Sequence, residues 1–370
     1  MKKIGLCGGG QLALMMLPWI KKLGFSSVVL DKPGSSCDGI ADTFLSGSFN
    51  SISDIDKLSN CDVVTFEIEA ASVAGLESLE EKGISVLPSS KTLALIKDKG
   101  LQKSFLQQNK IPTSNFIVGK IDTIDEGQLK NKVIKLVTGG YDGKGVWIPG
   151  QSEIPSEFLQ CDCVIEDRVN IKKELAVVGV RSKVGEIKIY DVVEMVMDPN
   201  LNLLDYQSSP ADIVTEIAVQ IKDITTKVMK LLDYVGVLAI EFFIDQDGKI
   251  FVNELSPRVH NSGHNTIESA PTGQFENHIR AIAGLSLGES TPGKESMTVN
   301  LLGTGESGRV QISKDPSLDK DIKVHLYNKS DSRPGRKMGH ATFIGKKELF
   351  KNKKNEIKDK IIISGINSQE

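Results

Sequence analysis

The sequence predicts a mixed α/β protein with more than one domain, and three observations support that prediction. A strand at Lys3–Cys7, a glycine-rich turn and a helix at Leu12–Leu23 form half of a Rossmann-like unit. A β-hairpin pattern follows an amphipathic helix at Ile213–Leu232. The chain has 370 residues, which is enough for two or three domains, and Ile111-Pro112-Thr113 indicates a boundary because proline ends a helix there.

Composition points to an ordinary globular protein. The hydrophobic fraction is 39% and the net charge is −3, so no bulk basic charge suggests nucleic acid as the main partner. The apolar runs are too short to span a bilayer, and the N-terminus enters a strand instead of a signal-peptide core. The five cysteines are odd in number, and Cys161-Asp162-Cys163 lacks zinc or thioredoxin spacing. We therefore expect reduced thiols in a cytosolic protein without a membrane partner.

The first strand leads into Gly8-Gly9-Gly10-Gln11-Leu12, a corner where the N–H groups of a helix N-terminus face an anion. Ala13 interrupts the full dinucleotide-binding pattern, so a nicotinamide cofactor is weakly supported. The turn either binds a substrate phosphate or is purely structural. After Gly24 stops the helix, Ser27–Leu30 is predicted as a second strand.

A buried strand at Asp62–Thr65 ends in two carboxylates, Glu67 and Glu69. Strand ends of such sheets commonly meet ligand, but a solvated loop carboxylate is the equal alternative. Apolar patterning then predicts further elements in chain order. They are a strand at Val86–Pro88, a helix at Ser90–Gln108, strands at Val133–Val137, Val164–Val169 and Leu175–Val180, a helix at Glu268–Gly284, strands at Thr298–Leu302 and Ala341–Ile344, and a solvated helix at Lys346–Lys360.

Four glycines occur within the eight residues Thr138–Gly145. A loop with that much glycine can close over an anion and present backbone N–H groups to it. Lys135 and Lys144 would add positive charge. The spacing is not that of a P-loop, and a surface hairpin is the alternative interpretation.

The hairpin turn Asp245–Gly248 joins two apolar strands and would bring Glu241 and Glu254 side by side. Adjacent carboxylates repel unless a cation lies between them, which predicts a Mg²⁺ site completed by phosphate oxygens. Two solvated glutamates on an edge hairpin are the alternative. The polar run from Asn253 to His264 favours the ligand site, because so many polar groups after a buried strand are costly without a partner.

A compact basic turn lies at Arg333–His340, where three cations adjoin glycine and histidine. Basic turns are usually solvated. Placed immediately before a strand, this one is a candidate site for a phosphate or carboxylate.

These segments together resemble the ATP-grasp superfamily and, within it, the 5-(carboxyamino)imidazole ribonucleotide synthetases. The resemblance covers essentially the whole chain, and HNSGH and RPGRKMGH are its specific parts. The segments that carry it are GGGQL at 8–12, GGYDGKG at 139–145, YVGVLAIEFF at 234–243, NELSPRVHNSGH at 253–264, QFENHIRAI at 274–282, HLYNK at 325–329 and RPGRKMGH at 333–340.

The resemblance implies an ATP-grasp fold with a Rossmann-like N-terminal domain at 1–95, a two-lobed ATP-grasp domain at 96–290 and a small β-rich domain at 291–370. It implies a carbon–nitrogen ligase that uses ATP and bicarbonate, through carboxyphosphate, to carboxylate 5-aminoimidazole ribonucleotide in purine biosynthesis. ATP, Mg²⁺ (or Mn²⁺), a cytoplasmic location and a homodimer are further implications.

Site roles carried over from the resemblance fall into three groups. For ATP they are Lys99, Lys135, Gly140, Tyr141, Asp142, Gly143, Lys144, Gly145, Val146, Glu166, Asp167, Arg168, Val169, Glu174, Met197, Asn253 and Glu254, with Glu241 and Glu254 as metal ligands. For the ribonucleotide they are Gly10, Gln11, Leu12, Glu69, Tyr141, Arg336 and Lys337. For catalysis they are Asp142, which would handle the amine proton, with Arg258, His260, Asn261 and Lys337.

The chain departs from the family pattern at several positions. They are Ala13, where glycine is usual, Lys99, Leu136 and Val137, where arginine is usual, Met197, where histidine is frequent, and Asn265, where tryptophan often stands. Two alternatives stay open. One is another ATP-grasp ligase, such as a formate-using glycinamide ribonucleotide transformylase, and the other is a nucleotide-binding protein that has lost catalysis.

Overall fold

The structure is a computed structural model that describes residues 1–123, 126–140, 145–150, 152–198, 203–291 and 293–366. The N-terminal region alternates strands and helices. Its strands are β1 (Lys3–Cys7), β2 (Ser26–Asp31), β3 (Thr43–Ser46), β4 (Val63–Phe66) and β5 (Ser85–Val86), and its helices are α1 (Gln11–Lys22), α2 (Ile52–Ile55), α3 (Val73–Glu81) and α4 (Ser90–Lys97). The strands pair in parallel in the order β3-β2-β1-β4-β5, which confirms the Rossmann-like prediction.

The central region holds two sheets. Its helices are α5 (Lys99–Gln108), α6 (Glu126–Leu129), α7 (Ser156–Gln160), α8 (Thr215–Leu231), α9 (Thr266–Ser269) and α10 (Gln274–Ala283). Its strands are β6 (Phe116–Gly119), β7 (Lys132–Leu136), β8 (Val146–Trp147), β9 (Cys163–Asp167), β10 (Ile171–Arg181), β11 (Ile187–Ile189), β12 (Val193–Asp198), β13 (Leu203–Ser209), β14 (Gly236–Asp245) and β15 (Ile250–Ser256). The sheet β6-β9-β7-β8 is called the small lobe below.

The C-terminal region is rich in strands, as predicted. They are β16 (Ser296–Leu302), β17 (Thr304–Gly305), β18 (Gly308–Lys314), β19 (Ile322–Leu326), β20 (Asp331–Ser332), β21 (Lys337–Ile344) and β22 (Ile361–Ile366), with one helix, α11 (Phe350–Lys360), among the described residues. Strand β16 pairs with β13, so β16, β21 and β19 continue the central sheet. One sheet therefore contains strands from both sides of the expected boundary at residues 290 and 291.

One hydrophobic core joins the N-terminal region to the central sheet. Helix α1 contributes Met16 and Ile20, and helix α10 contributes Phe275 and Ile279 to the same buried cluster. The strand end of the N-terminal sheet is thereby held against the strand β14 that carries Glu241.

Two predicted helices differ from the structure. The predicted helix Ser90–Gln108 is broken at Asp98, whose backbone is extended and whose side chain accepts a hydrogen bond from Leu101 N. The helix predicted from Glu268 begins at Gln274 instead, because Pro271 interrupts the helical hydrogen-bond pattern.

Two predicted surface segments are also corrected. The basic turn is shorter than expected, since Lys337–His340 belong to strand β21. The helix α11 is not wholly solvated, because Phe350 and Ile357 are buried.

The cysteines and the helices bear on the compositional predictions. All five cysteines are free, and only Cys161 among them is exposed. Burial raises the pKa of Cys7 to about 12 and that of Cys61 to about 11. No described helix combines the length and apolar character needed to cross a bilayer.

Candidate active site

Two glutamates face each other across the hairpin of β14 and β15. Glu241 and Glu254 are direct partners in the antiparallel register, and a β-bulge follows them. Asn253 Nδ2 donates to Glu241 Oε2 at 3.3 Å. Burial raises the pKa of Glu241 to about 8, and the charges of Glu254 and Glu174 add to the rise. The pair therefore needs a cation if both carboxylates are to be ionised at neutral pH.

The donor set fits a magnesium ion that substrate oxygens complete. Mg²⁺ is commonly held by one or two carboxylates together with phosphate groups. In the part of the chain that the structure describes, no cluster of three or more His, Cys, Asp or Glu side chains is placed to hold a metal ion. The role of Glu241 and Glu254 as metal ligands therefore stays a prediction.

A buried chain of polar groups leads from the acidic pair into the small lobe. Lys135 Nζ donates to Asn253 Oδ1 at 2.9 Å and lies 3.0 Å from Glu166 Oε1. The other oxygen of Glu166 lies 2.7 Å from Lys103 Nζ. Burial opposes ionisation of Glu166, but Lys135 and Lys103 lower its pKa to about 2. Burial lowers the pKa of Lys103 to about 8, so Lys103 and Glu166 are both ionised at neutral pH.

These groups line one narrow pocket between the small lobe and the central sheet. The pocket is lined by Lys99, Gln102, Lys103, Lys135, Glu166, Asn253 and Glu254. Lys103 and Gln102 were not among the site residues predicted from the sequence. The available signal was helical spacing, because Lys103 lies four residues after Lys99 on α5 and shares its face.

Two of the residues predicted to line the adenine have side chains that already pair with lysines, and their role toward a nucleotide stays a prediction. The side chains of Glu166 and Asp167 are engaged by lysines, since Asp167 pairs with Lys132 at 2.5 Å. Recognition of a base by these two residues would therefore use the backbone. Arg168 and Val169 follow β9 directly, and their role toward a nucleotide stays a prediction.

Two further nucleotide candidates lie on the central sheet. Glu174 on β10 is opposite Phe243 of β14 and Met195 of β12. Burial raises the pKa of Glu174, and its charge acts on Glu241. The predicted ribose ligand is therefore close to the acidic pair. Met197 on β12 pairs with Leu204 next to a β-bulge, and its contact with a nucleotide stays a prediction.

The glycine loop is described only at its two ends. Gly139, Gly140 and Gly145 all have positive φ, which side chains rarely adopt. A Cβ on Gly145 would lie 3.0 Å from Gly140 Cα, so the two ends of the loop meet closely. Val146 begins β8. The candidates Tyr141, Asp142, Gly143 and Lys144 lie outside the described residues.

His260, one of the residues predicted to act in catalysis, lies next to the acidic pair. His260 Nε2 is 3.7 Å from Glu241 Oε1, and His260 Nδ1 is 2.9 Å from Ser262 Oγ. Burial, with the charges of Arg258 and Lys337, holds the pKa of His260 well below its usual range, so this imidazole is neutral. Arg258 Nη2 lies 2.6 Å from Glu69 Oε1, which joins a catalytic candidate to a substrate-binding candidate.

The glycine corner at α1 faces an anion, but that anion belongs to the protein. Glu67 accepts hydrogen bonds from Gly10 N at 2.8 Å and from Leu12 N at 3.1 Å. Gly9 N donates to Asp31 Oδ2 at 2.8 Å. The prediction that these N–H groups are available to a substrate phosphate is therefore wrong for these residues. Glu67, which was left undecided, caps the helix.

Lysine supplies the positive charge beside this corner. Lys329 Nζ donates to Gln11 Oε1 at 2.9 Å and also to the carbonyl oxygen of Lys337. Arg336 pairs with Asp331 of β20. The structure thus brings Gln11 and Lys337 together through Lys329, whose role the sequence analysis did not single out.

Comparison with protein families matches all three regions of the chain. The ribonucleotide synthetase preATP-grasp domain matches residues 1–97, and the ATP-grasp domain matches residues 104–275. The phosphoribosylaminoimidazole carboxylase C-terminal domain matches residues 296–351. These matches agree with the three-part fold that the sequence predicts.

Similar proteins cover nearly the whole chain. The N5-carboxyaminoimidazole ribonucleotide synthase of Bacillus subtilis is 35% identical over 93% of this chain and 92% of its own length. A phosphoribosylaminoimidazole carboxylase of Schizosaccharomyces pombe is 35% identical over 92% of this chain and 64% of its own length.

Solved structures give the same result. The N5-carboxyaminoimidazole ribonucleotide synthetase of Thermotoga maritima has a TM-score of 0.90 and 36% identity, and the match covers 99% of this chain and 100% of that one. The Aspergillus clavatus enzyme in complex with ADP and 5-aminoimidazole ribonucleotide has a TM-score of 0.83 and 27% identity, with 97% of both chains covered. With sequence and fold both matched from end to end, the chain belongs to the N5-carboxyaminoimidazole ribonucleotide synthase family of ATP-grasp enzymes.

Proposed function

We propose that the chain carboxylates 5-aminoimidazole ribonucleotide with bicarbonate and ATP, releasing ADP and phosphate, as a cytoplasmic homodimer in purine biosynthesis. The observation that carries the proposal is the direct pairing of Glu241 with Glu254, beside neutral His260. A metal-binding pair next to an uncharged hydrogen-bonding group suits a phosphoryl transfer onto a small oxyacid.

In the first step, a bicarbonate oxygen attacks the γ-phosphorus of ATP, and the bond to the bridging oxygen breaks as ADP leaves. Lys99 and Lys135 neutralise phosphate charge at the pocket that they line. Mg²⁺ held by Glu241 and Glu254 would supply further charge neutralisation. The Lys135–Asn253 hydrogen bond connects this phosphate side to the acidic pair.

Arg258 and His260 orient the bicarbonate. The Arg258 guanidinium is anchored by Glu69, and Gln274 of α10 holds the His260 backbone through hydrogen bonds at both its N–H and its carbonyl oxygen. A neutral imidazole fixed in this way adds a hydrogen bond without adding charge. This support by Glu69 and Gln274 favours a role for Arg258 and His260 in orienting the oxyacid.

In the second step, carboxyphosphate breaks its carbon–oxygen bond, and phosphate leaves with the electron pair to give carbon dioxide. The exocyclic amine forms the new carbon–nitrogen bond and loses a proton. We assign that proton to Asp142 and the imidazole contact to Tyr141. Gln11, Lys337 and Arg336 belong with the ribonucleotide, and the Lys329–Gln11 hydrogen bond supports that placement of Gln11.

A coupled ADP-release assay tests the proposal, with ATP, bicarbonate and 5-aminoimidazole ribonucleotide each omitted in turn. We expect the full rate only with all three, and a clear fall when either co-substrate is left out. A parallel arm replaces bicarbonate by formate. Formate-dependent release without a bicarbonate effect would favour a formate ligase. Release that 5-aminoimidazole ribonucleotide never stimulates would overturn the enzyme assignment.

A further inference from the structure

The imidazoles of His264, His340 and His325 stack in a column beside the turn that carries His260, and the first two are fully buried. The rings of His264 and His340 have centroids 4.4 Å apart and planes 25° apart. His340 stacks in turn on His325 at 4.7 Å and 19°. Phe275 also stacks on His264, with ring centroids 5.8 Å apart and planes 28° apart. His325 Nε2 ends the column at Glu268 Oε1, 2.6 Å away.

The His264 ring is held by stacking and burial alone. His264 is 0% exposed, and neither of its ring nitrogens has a hydrogen-bond partner among the described residues. Burial lowers the pKa of His264 to about 3, so the ring is neutral. A buried flat ring that stacks on both His340 and Phe275 has little freedom to tilt, and these contacts set its orientation.

The column is connected through the backbone to the turn that carries His260 and Asn261. His264 N donates to Asn261 O, and Gly263 N donates to His260 O, both at 3.0 Å. The turn from His260 to His264 is thus a closed 3₁₀ turn. Displacing the His264 ring would displace the residues that precede it by only three or four positions.

A second contact ties the same turn to the C-terminal strands. Asn261 Nδ2 donates to Asn300 Oδ1 at 3.3 Å, and Asn300 is the register partner of His340. Asn300 is itself fixed by a hydrogen bond from its Nδ2 to Leu204 O at 2.8 Å. The ring stack and the amide contact therefore meet at one register pair, His340 of β21 and Asn300 of β16.

The same strand carries the catalytic candidate Lys337. Met338 packs in one core cluster with Ala341 and Phe343, and it is the extra residue of a β-bulge in β21, because Leu301 and Leu302 pair with Gly339 and Lys337. The bulge reverses the alternation of side chains, which places Lys337 on the face of His340. The charge of Lys337 acts on His260 and His264.

We propose that His264 is a positioning residue whose stack on His340 fixes the turn of His260 and Asn261 against the strand that carries Lys337. The column thereby sets the bicarbonate side of the active site, while the phosphate side is held separately through Lys135 and Glu166. This inference rests on the proposed function, because the proposed function assigns the turn of His260 and Asn261 to bicarbonate.

The test compares two substitutions of the full-length protein. His264→Gln removes the ring but keeps a polar side chain, and His264→Phe keeps a ring without nitrogens. We expect His264→Gln to raise the KM for bicarbonate about tenfold or more, with the KM for ATP within about twofold. We expect His264→Phe to keep both KM values within about twofold of the wild type, since stacking is retained.

His278→Gln is the matched control, because His278 is also a fully buried, neutral histidine but lies on α10 outside the column. It should lower the thermal midpoint without changing the KM for bicarbonate. If His264→Gln only lost stability, its thermal midpoint would fall and its KM for bicarbonate would stay at the wild-type value. That result would overturn the proposal.

The Phe variant keeps the test decisive if His264→Gln does not fold. A folded His264→Phe with a bicarbonate KM raised about tenfold would show that the nitrogens matter, which would overturn the stacking role. The wild-type assay separates the two claims. Wild-type enzyme without bicarbonate-dependent turnover refutes the proposed function, whereas active wild type with an unaffected His264→Gln refutes the positioning role alone.

Discussion

Glu241 and Glu254 repel each other across β14 and β15 when both are ionised. Glu254→Gln should abolish turnover while the fold stays intact, because the metal loses one of its two protein ligands. In magnesium-free buffer the thermal midpoint should be equal to or above that of the wild type, because the charge of Glu254 no longer opposes ionisation of the buried Glu241. ADP release and thermal unfolding measure the two effects.

Asp247→Asn is the control for that experiment. Asp247 lies in the same hairpin but is exposed, so its substitution should leave turnover and stability unchanged. Normal turnover by Glu254→Gln would refute the metal role of the pair.

Lys103 is 3% exposed and bonds at once to Glu166, Thr113 and Ser114. Lys103→Met should lower the free energy of unfolding by about 3 kcal/mol or more, because Glu166 keeps a buried charge with one lysine fewer. It should also raise the KM for ATP, since Glu166 helps to orient Lys135. Urea unfolding and initial-rate kinetics measure these changes.

A double variant sharpens this prediction. Lys103→Met combined with Glu166→Gln removes both charges and should recover part of the lost stability. Lys91→Met, an exposed lysine on the neighbouring helix α4, should change neither quantity. The ion-pair account would be contradicted if the double variant lost more free energy of unfolding than the two single variants lose in sum.

Single residues differ in how far local sequence predicts them. Glu241 and Glu254 were predicted together, because a short turn determines which residues of a hairpin face each other. The pairing of Lys103 with Glu166 spans 63 positions and has no local signal. The same is true of Glu67 and Gly10, which are 57 positions apart.

The helix α1 begins at the carboxylate of Glu67. Glu67→Gln should lower the free energy of unfolding by about 1–3 kcal/mol, because a glutamine keeps one acceptor oxygen and its NH₂ group cannot accept from the remaining N–H groups of the helix N-terminus, while the side-chain volume is kept. Denaturant unfolding at pH 7 measures the change.

Glu77→Gln on helix α3 is the control, because Glu77 is exposed. It should be neutral. A Glu67→Gln variant as stable as the wild type would contradict the capping role and would favour a free helix N-terminus that accepts substrate phosphate.

Elements were predicted best where periodicity and turn residues agreed. The hairpin β14–β15 and the helix α8 lie close to their predicted bounds. The break at Asp98 was missed because the helical pattern continues across it, and only the cap geometry separates α4 from α5. The continuation of the central sheet into β16 depends on pairing with β13, which no local pattern specifies.

At the scale of the whole molecule, His278 joins the N-terminal region to the central sheet. Its Nε2 lies 2.9 Å from Thr65 Oγ1 on β4, and its Nδ1 accepts from Val237 N on β14 at 3.1 Å. Nδ1 is the acceptor, so Nε2 carries the proton and donates to Thr65. This neutral ring therefore connects β4 of the N-terminal region to β14 of the central sheet.

Burial lowers the pKa of His278 from 6.5 to about 4. The unfolded chain therefore binds a proton below pH 6.5 while the folded protein does not, and stability falls as the pH falls from about 6.5 to about 4. This residue alone should account for a loss of about 3 kcal/mol over that window. Urea unfolding at pH 7 and pH 5 measures the part of this loss that falls between those pH values, about 2 kcal/mol.

His278→Gln removes the titration of this residue, so its stability should fall less than that of the wild type between pH 7 and pH 5. The difference between the two slopes isolates His278 from the other buried histidines. Identical slopes would contradict a neutral His278 in the folded protein.

The central claim is that ATP activates bicarbonate as carboxyphosphate on this chain. The most direct measurement uses bicarbonate labelled with ¹⁸O, together with ATP, Mg²⁺ and 5-aminoimidazole ribonucleotide, and follows the released phosphate by ³¹P NMR. A bicarbonate oxygen attacks phosphorus and stays with it when the carbon–oxygen bond breaks, so the phosphate should carry one ¹⁸O for each ADP formed. Phosphate without the label, released at the same rate as ADP, would contradict that claim.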